Sequence, residues 1–397
     1  MSGKTEIILG VLKSLLIKSG FLYFGYWLCS QTIKLPNWRW MEQKLDPNFG
    51  MFETGLPFFR PWLPLERFEW SLHQSNWYSD NLTYGLLAGW MFYLLYKNAP
   101  SLKSFLLLTP PLAIAVWYTA NGGTLYDITA AFSLVYLLII FRDSHKFISK
   151  ISFFTLIGIG ILLGILDHSR PFAFQICVLL VIYGFYIYGR RFIVSVTIFV
   201  ILVAPFHINQ YVKFNTFELS TYGGNNLVEA FQGVIPFATD CYYLEMSKKL
   251  GTRAGAVCAQ ENKDKILGEI KKHPQLLLGV FTLDRAKKIF FPELVWHATG
   301  LDPNAASEIK IRRGFHLYLI LVYLLAIFCC IKKSERLYKL LLITIYAYII
   351  GITFVANRLS ETIRVVMPAL AVLILLCQTY ASAKLAANSS NRKLFSA

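Results

Sequence analysis

The residues able to do chemistry are gathered in four stretches. The first reads Leu45-Asp46-Pro47-Asn48-Phe49-Gly50-Met51-Phe52-Glu53-Thr54-Gly55. Asp46 and Glu53 are seven apart, about two helical turns, although Pro47 and Gly50 interrupt a continuous helix. A carboxylate here, facing a membrane-level cavity, is a candidate catalytic general base. The alternative is a pair of solvated acids, which surface carboxylates commonly are. Glu66, Glu69 and Asp80 are weaker competitors in the same stretch. The second, Leu166-Asp167-His168-Ser169-Arg170-Pro171, lies between two apolar runs. An ionisable cluster in that setting is costly and reads as functional by default. His168 and Arg170 are its candidate substrate-binding groups, Arg170 as a multidentate donor to phosphate. An interfacial Arg170–Asp167 ion pair is the competing reading.

The third stretch, Ser220-Thr221-Tyr222-Gly223-Gly224-Asn225-Asn226, offers hydroxyls, amides and flexible backbone. Ser220, Thr221, Gly223, Gly224 and Asn225 suit hydrogen bonding to a sugar or phosphate, and the Gly pair allows close backbone approach. An ordinary turn uses the same residues. The fourth, Asn357-Arg358-Leu359-Ser360-Glu361-Thr362-Ile363-Arg364, brackets a glutamate with arginines. Glu361 and Arg364 there suit an anionic, lipid-linked substrate, or form an interfacial ion pair. A further segment, Glu269 to Phe290, alternates leucines with Lys271, Lys272, Arg285, Lys287 and Lys288. Outside Pro274 it predicts a basic amphipathic helix, on the membrane face or on a plain protein surface.

These stretches are positioned by apolar helices. The chain is 55% hydrophobic and 16% charged, where a soluble chain carries roughly 25% charged residues. Apolar runs fall at 7–30, 82–96, 104–120, 125–141, 151–166, 172–188, 192–206, 314–331, 338–355 and 365–380. The expected fold is all-α, a polytopic transmembrane helix bundle of about ten spans, with flanking residues completing the shorter ones. Lys97, Lys103, Arg142, Lys146, Lys150, Arg190, Arg191, Lys332, Lys333, Arg336 and Lys339 fall in alternate short connections; the others hold only Arg170, Arg358 and Arg364. The positive-inside bias then places both termini in the cytoplasm. Two long segments, 31–80 and 207–313, fall on the extracytoplasmic side, each expected to carry amphipathic helices. Residues 1–397 read as a single membrane domain. The first run, interrupted by Lys13 and Lys18, reads as an uncleaved span.

The net charge of +16 is explained by the same bias, and no nucleic-acid motif accompanies it. No Walker A motif, G-x-G-x-x-G or His-Glu-x-x-His occurs, which argues against a cytoplasmic nucleotide as co-substrate. No His/Cys cluster suggests structural zinc. Cys241 and Cys258 lie in the long outer segment, where a disulfide and two free thiols are both open.

In order, Gly164-Ile165-Leu166-Asp167-His168-Ser169-Arg170-Pro171, Asn209-Gln210-Tyr211 through Leu227, His273-Pro274 through Lys288, and Glu361-Thr362-Ile363-Arg364 with Pro368 resemble four local patterns of one superfamily. That is the GT-C superfamily of membrane glycosyltransferases, in its protein-mannosyltransferase and aminoarabinose-transferase branch. The resemblance covers roughly residues 160–375. Gln210 and Asn209 replace the branch's usual Arg-Asn before the tyrosine, and Asp46 and Glu53 are the nearest counterparts of its first-loop acidic pair. The resemblance implies a polyprenyl-phosphate sugar as donor, a glycan, lipid or protein acceptor, and inversion at the anomeric carbon. It allows an assisting divalent cation, for which no ligand cluster in the sequence calls. Arg170 and Arg364 would hold the leaving phosphate, and Ser220–Asn226 would shape the sugar or acceptor pocket. The implied location is a bacterial inner membrane, or the endoplasmic reticulum in a eukaryote. An O-antigen polymerase or ligase shares many of these features. A transporter or flippase fits less well, because the ionisable groups gather at one face rather than at mid-depth.

Overall fold

The computed structural model describes residues 2–30, 80–122, 125–144, 151–169, 173–214, 230–231, 234–235, 254–285, 306–332, 336–351 and 367–377. Every regular element among them is helical: α1 (Ser2–Ser30), α2 (Asp80–Asn98), α3 (Leu102–Gly122), α4 (Leu125–Ser144), α5 (Phe153–Ser169), α6 (Ala173–Tyr188), α7 (Ile193–Phe214), α8 (Ala254–Lys272), α9 (Ala306–Lys332) and α10 (Arg336–Gly351), and α11 (Met367–Cys377). Each apolar run carries a helix, as expected. One continuous helical stretch, Gln175–Ile208, is long and apolar enough to cross a membrane, and several shorter apolar helices accompany it.

That long stretch is not straight. A 3-10 turn, Gly189–Phe192, separates α6 from α7, and Gly189 has φ +57°, a left-handed conformation that glycine adopts without a Cβ penalty. The Phe192 ring sits where a Cβ on Gly184 would be. Eight residues of straight helix would separate the two by about 12 Å, so the chain turns back here. Phe192 stacks on Tyr188 at 5.7 Å and meets Phe141 of α4 at 6.2 Å. This aromatic corner sends α7 back alongside α5.

Two helix seams are the most extensive, α1 on α2 and α5 on α7. The first is antiparallel. Gly25 faces Gly85 and Gly89, Gly89 faces Phe21, and Gly85 faces Tyr26, with backbone in contact throughout. The second is parallel. Gly160 faces Ser195, Gly164 faces Leu202, and the Ser195 hydroxyl donates to Leu156 O at 2.7 Å. Residues four apart share a helix face, so Leu156, Gly160, Gly164 and His168 form one stripe of α5. Small residues at such positions let backbones approach, the usual means of association where lipid removes the hydrophobic drive. Lys18, within α1, lies 5.8 Å from the ring centre of Tyr93 in α2, which gives the ammonium a π face.

One proline inside a helix, Pro111, is compensated by a neighbouring helix. Pro111 cannot bond to Leu107 O, and the Tyr318 hydroxyl of α9 donates to that carbonyl at 2.5 Å. Membrane helices tolerate proline where neighbours re-satisfy the freed group. Tyr318→Phe is therefore expected to cost about 0.6–1.7 kcal/mol, read as a lowered midpoint of unfolding in mixed micelles.

Basic groups mark one end of the bundle. The Arg142 guanidinium donates to Asn98 Oδ1 at 2.5 Å and to Asn98 O at 3.4 Å, which caps the C-terminus of α2. The Phe141–Phe192 contact brings Arg190 and Arg191 to the same end. The cluster Asp167, His168 and His207 lies at the opposite end of α5 and α7. α11 is buried along its whole length, as an all-round apolar helix at the centre of a bundle must be.

Candidate functional site

The polar cluster at the C-terminal ends of α5 and α7 has a definite geometry. Asp167 is 1% exposed, and His207 Nε2 stands 3.0 Å from its Oδ2. The two residues are forty apart in sequence and on different helices. A carboxylate at this depth needs a partner, because an isolated buried charge is strongly disfavoured, and the imidazole provides one.

His168 points across the same seam. Its Nε2 lies 3.0 Å from Leu202 O; since a carbonyl only accepts, Nε2 carries the proton. Leu202 lies in the turn of α7 preceding Pro205, and Pro205 cannot bond to Ile201 O, which opens that turn. The ring also packs edge-on against Phe206, with centroids 4.6 Å apart. Nδ1 of His168 is buried without a hydrogen-bond partner. In a neutral ring it is a lone-pair acceptor. The Ser169 hydroxyl donates back to Ile165 O at 2.6 Å and reaches Thr129 Oγ1 of α4 at 3.4 Å. The cluster thus ties α4, α5 and α7 together at one end.

His168, expected to bind substrate, is held as a bridge between α5 and α7. Asp46, Glu53, Arg170, Ser220, Thr221, Gly223, Gly224, Asn225, Glu361 and Arg364 lie outside the described residues. Arg170 directly follows Ser169, which is fully buried, and Arg364 precedes the fully buried Met367 of α11 by three residues. His207 was not singled out by the sequence reading. The signal for it was Asp167 itself, whose charge required a partner near the outer end of another helix. His207, following Pro205 at the close of an apolar run, is such a residue.

The long segment contributes a second, smaller unit. Ala230, Phe231, Ile235, Ile266 and Val280 form an apolar cluster of their own. α8 ends at Lys272, and a 3-10 helix, Pro274–Val280, follows. The amphipathic stretch expected over Glu269–Phe290 is broken at the proline, because Pro274 disfavours α geometry at His273. Arg285 is buried and its guanidinium donates to Ala230 O, while burial lowers its tendency to hold a proton. On α8, Lys272 donates to Glu269 at 2.8 Å and holds that carboxyl below the usual range. Cys241 and the Cys258 side chain lie outside the described residues.

Replacing His207 leaves the buried Asp167 carboxylate without its imidazole, and replacing Asp167 takes the same contact from His207. Asp167→Ala and His207→Ala are each expected to cost about 1–3 kcal/mol. The double variant should cost less than the sum, with a coupling of at least about 0.5 kcal/mol, measured as a double-mutant cycle of unfolding in mixed micelles.

Among the described residues, no group of three or more His, Cys, Asp and Glu side chains could hold a metal ion. No protein-family model, curated protein or solved structure matches the chain.

Proposed function

We propose that the chain is a multi-pass membrane glycosyltransferase of about ten spans that moves a sugar from a polyprenyl-phosphate donor to a lipid, glycan or protein acceptor on the extracytoplasmic face. The observation that carries this reading is the 3.0 Å Asp167–His207 contact. It brings together two separate stretches of the resemblance, Gly164–Pro171 and the segment opening at Asn209-Gln210-Tyr211. A sugar-phosphate site built from loop segments needs its parts fixed to rigid helices, since catalytic positions tolerate little misplacement.

In this reading the acceptor hydroxyl attacks the anomeric carbon from the face opposite the phosphate. Asp46 or Glu53 takes the hydroxyl proton as the new C–O bond forms. The bond from the anomeric carbon to the phosphate oxygen breaks, and its electron pair leaves with the phosphate. Arg170 and Arg364 stabilise that growing charge. The described residues offer no ligand set for a divalent cation, and no step is routed through one.

The test is a transfer assay on membranes containing the full chain, with labelled sugar carried on polyprenyl monophosphate, on nucleoside diphosphate, and as oligosaccharide on polyprenyl pyrophosphate. The expected result is release of polyprenyl monophosphate from the first donor alone. Turnover of the pyrophosphate oligosaccharide alone would make the chain a polymerase or ligase. Turnover of none of the three, with the protein folded, would end the enzyme reading.

A further inference from the structure

The 3-10 segment after α8 has two faces of different character. Val280 is buried in the small cluster with Ile266 and Phe231, and buried Arg285 fastens the end of the segment to Ala230. The other face is apolar and largely exposed. Leu278 is 71% exposed, Phe281 57% and Leu283 73%, with Leu277 also exposed. Soluble surfaces rarely leave so many large apolar side chains together. The apolar residues are bracketed by lysine pairs, Lys271-Lys272 before and Lys287-Lys288 after. Over 269–288 five cations stand against the two anions Glu269 and Asp284.

We propose that the Leu277–Leu283 ridge is seated in the extracytoplasmic leaflet of the bilayer, with Lys271 and Lys272 on anionic phospholipid headgroups. Apolar side chains rimmed by lysine are what an interfacial anchor requires: the hydrocarbon enters the acyl boundary and the ammonium groups reach the phosphates. A second copy of the chain is a poorer occupant. A two-fold interface sets each patch against itself, which would bring lysine pairs onto lysine pairs. The anchor would hold the α8 unit at the depth where a lipid-linked substrate's phosphate resides. The side of the membrane rests on the preceding reading; the seating does not depend on catalysis.

The test uses the full chain in nanodiscs, with cysteines other than the buried Cys29, Cys177 and Cys377 changed to Ser. A nitroxide is placed singly at Leu278→Cys, Leu283→Cys and, as a solvent-facing control on α8, Lys265→Cys. Collision with oxygen and with a water-soluble nickel complex is then read in discs of phosphatidylcholine with and without phosphatidylglycerol. The expected result is positions 278 and 283 reached by oxygen and shielded from nickel, with 265 the reverse. Lys271→Glu with Lys272→Glu should raise nickel access at 278 severalfold in the phosphatidylglycerol discs. Free nickel access at 278 and 283 would show a solvated face and overturn the proposal. Shielding from both reagents would show a protein cover, from this chain or a second copy, and would equally overturn it. A chain inactive in transfer but seated as described would keep this inference and lose the functional one.

Discussion

Under the proposed function, Arg170→Ala is expected to lower sugar transfer about 100- to 1,000-fold, the effect of losing one preorganised donor to developing charge. The loss should appear in kcat rather than in the KM for donor, because the charge Arg170 meets is greatest as the phosphate departs. Arg170→Lys should recover only part of the rate. Lysine restores the charge but not the planar fork that grips two phosphate oxygens together. Arg364→Ala is expected to behave alike, and the double variant should fall less than the product of the two, since both serve one leaving group. The residues just before Arg170 give the prediction its weight. It follows Ser169, whose hydroxyl is tied to Ile165 and Thr129, and the adjoining Asp167 is pinned to α7. The chain reaching Arg170 is therefore anchored on both α4 and α7. Steady-state transfer by both variants, with the micellar unfolding midpoint measured alongside, checks the claim. Unchanged kcat in Arg170→Ala and Arg364→Ala would sink the site model.

Asp167→Asn separates positioning from bulk stability. The amide keeps the shape and removes the charge that His207 meets. If the pin serves only the bundle, Asp167→Asn should shift the unfolding midpoint and leave kcat unchanged. If it also orients Arg170, kcat should fall while the KM for acceptor stays within about twofold, a split that follows from losing a transition-state contact alone.

The helices were legible because apolar runs bounded by charge announce themselves in any membrane-like composition, and each run from 7–30 to 365–380 carries one. Lysine and arginine also pointed to one end of the bundle, and Arg142, Arg190 and Arg191 do meet there around Phe141 and Phe192. Partnership between helices was not legible. Gly160 and Gly164 show the four-residue spacing of a seam, but nothing in the sequence says that α7 rather than α6 lies against it. The reversal at Gly189 decides that, by returning α7 parallel to α5. Similarly, Asp167 three residues before Arg170 suggested a local ion pair; Arg170 lies outside the described residues, and the contact with His207 comes only from the packing of α7. The amphipathic stretch from Glu269 carried its break in plain view at Pro274. What the sequence could not say is which side of the broken segment packs on Phe231 and which side stays uncovered.

Gly25→Leu and Gly160→Leu should each destabilise the bundle by at least about 3 kcal/mol, the upper end for overpacked interiors. A Cβ on Gly25 would run into Gly85 O and the backbone of Gly89, and one on Gly160 would lie 2.5 Å from Ser195 O. Backbone cannot rotate aside as a side-chain tip can, so the helices themselves must separate. At the first seam, separation also breaks the ring contacts of Phe21 with Tyr96 and Phe105. At the second it stretches the Ser195–Leu156 and His168–Leu202 hydrogen bonds together. The two variants should differ in consequence. Gly25→Leu disturbs α1 and α2, the helices on either side of the stretch that carries Asp46 and Glu53, so under the proposed function transfer per folded molecule should fall through the general base while the Asp167–His207 contact is kept. Gly160→Leu forces apart the two helices that hold Asp167 against His207, and activity per folded molecule should fall with stability. Gly160→Ala, adding one carbon, should lie between wild type and leucine in both measures. Unfolding midpoints in mixed micelles, with transfer normalised to the folded fraction, read both effects. A Gly160→Leu protein as stable and as active as wild type would mean that α5 and α7 do not cross at this seam.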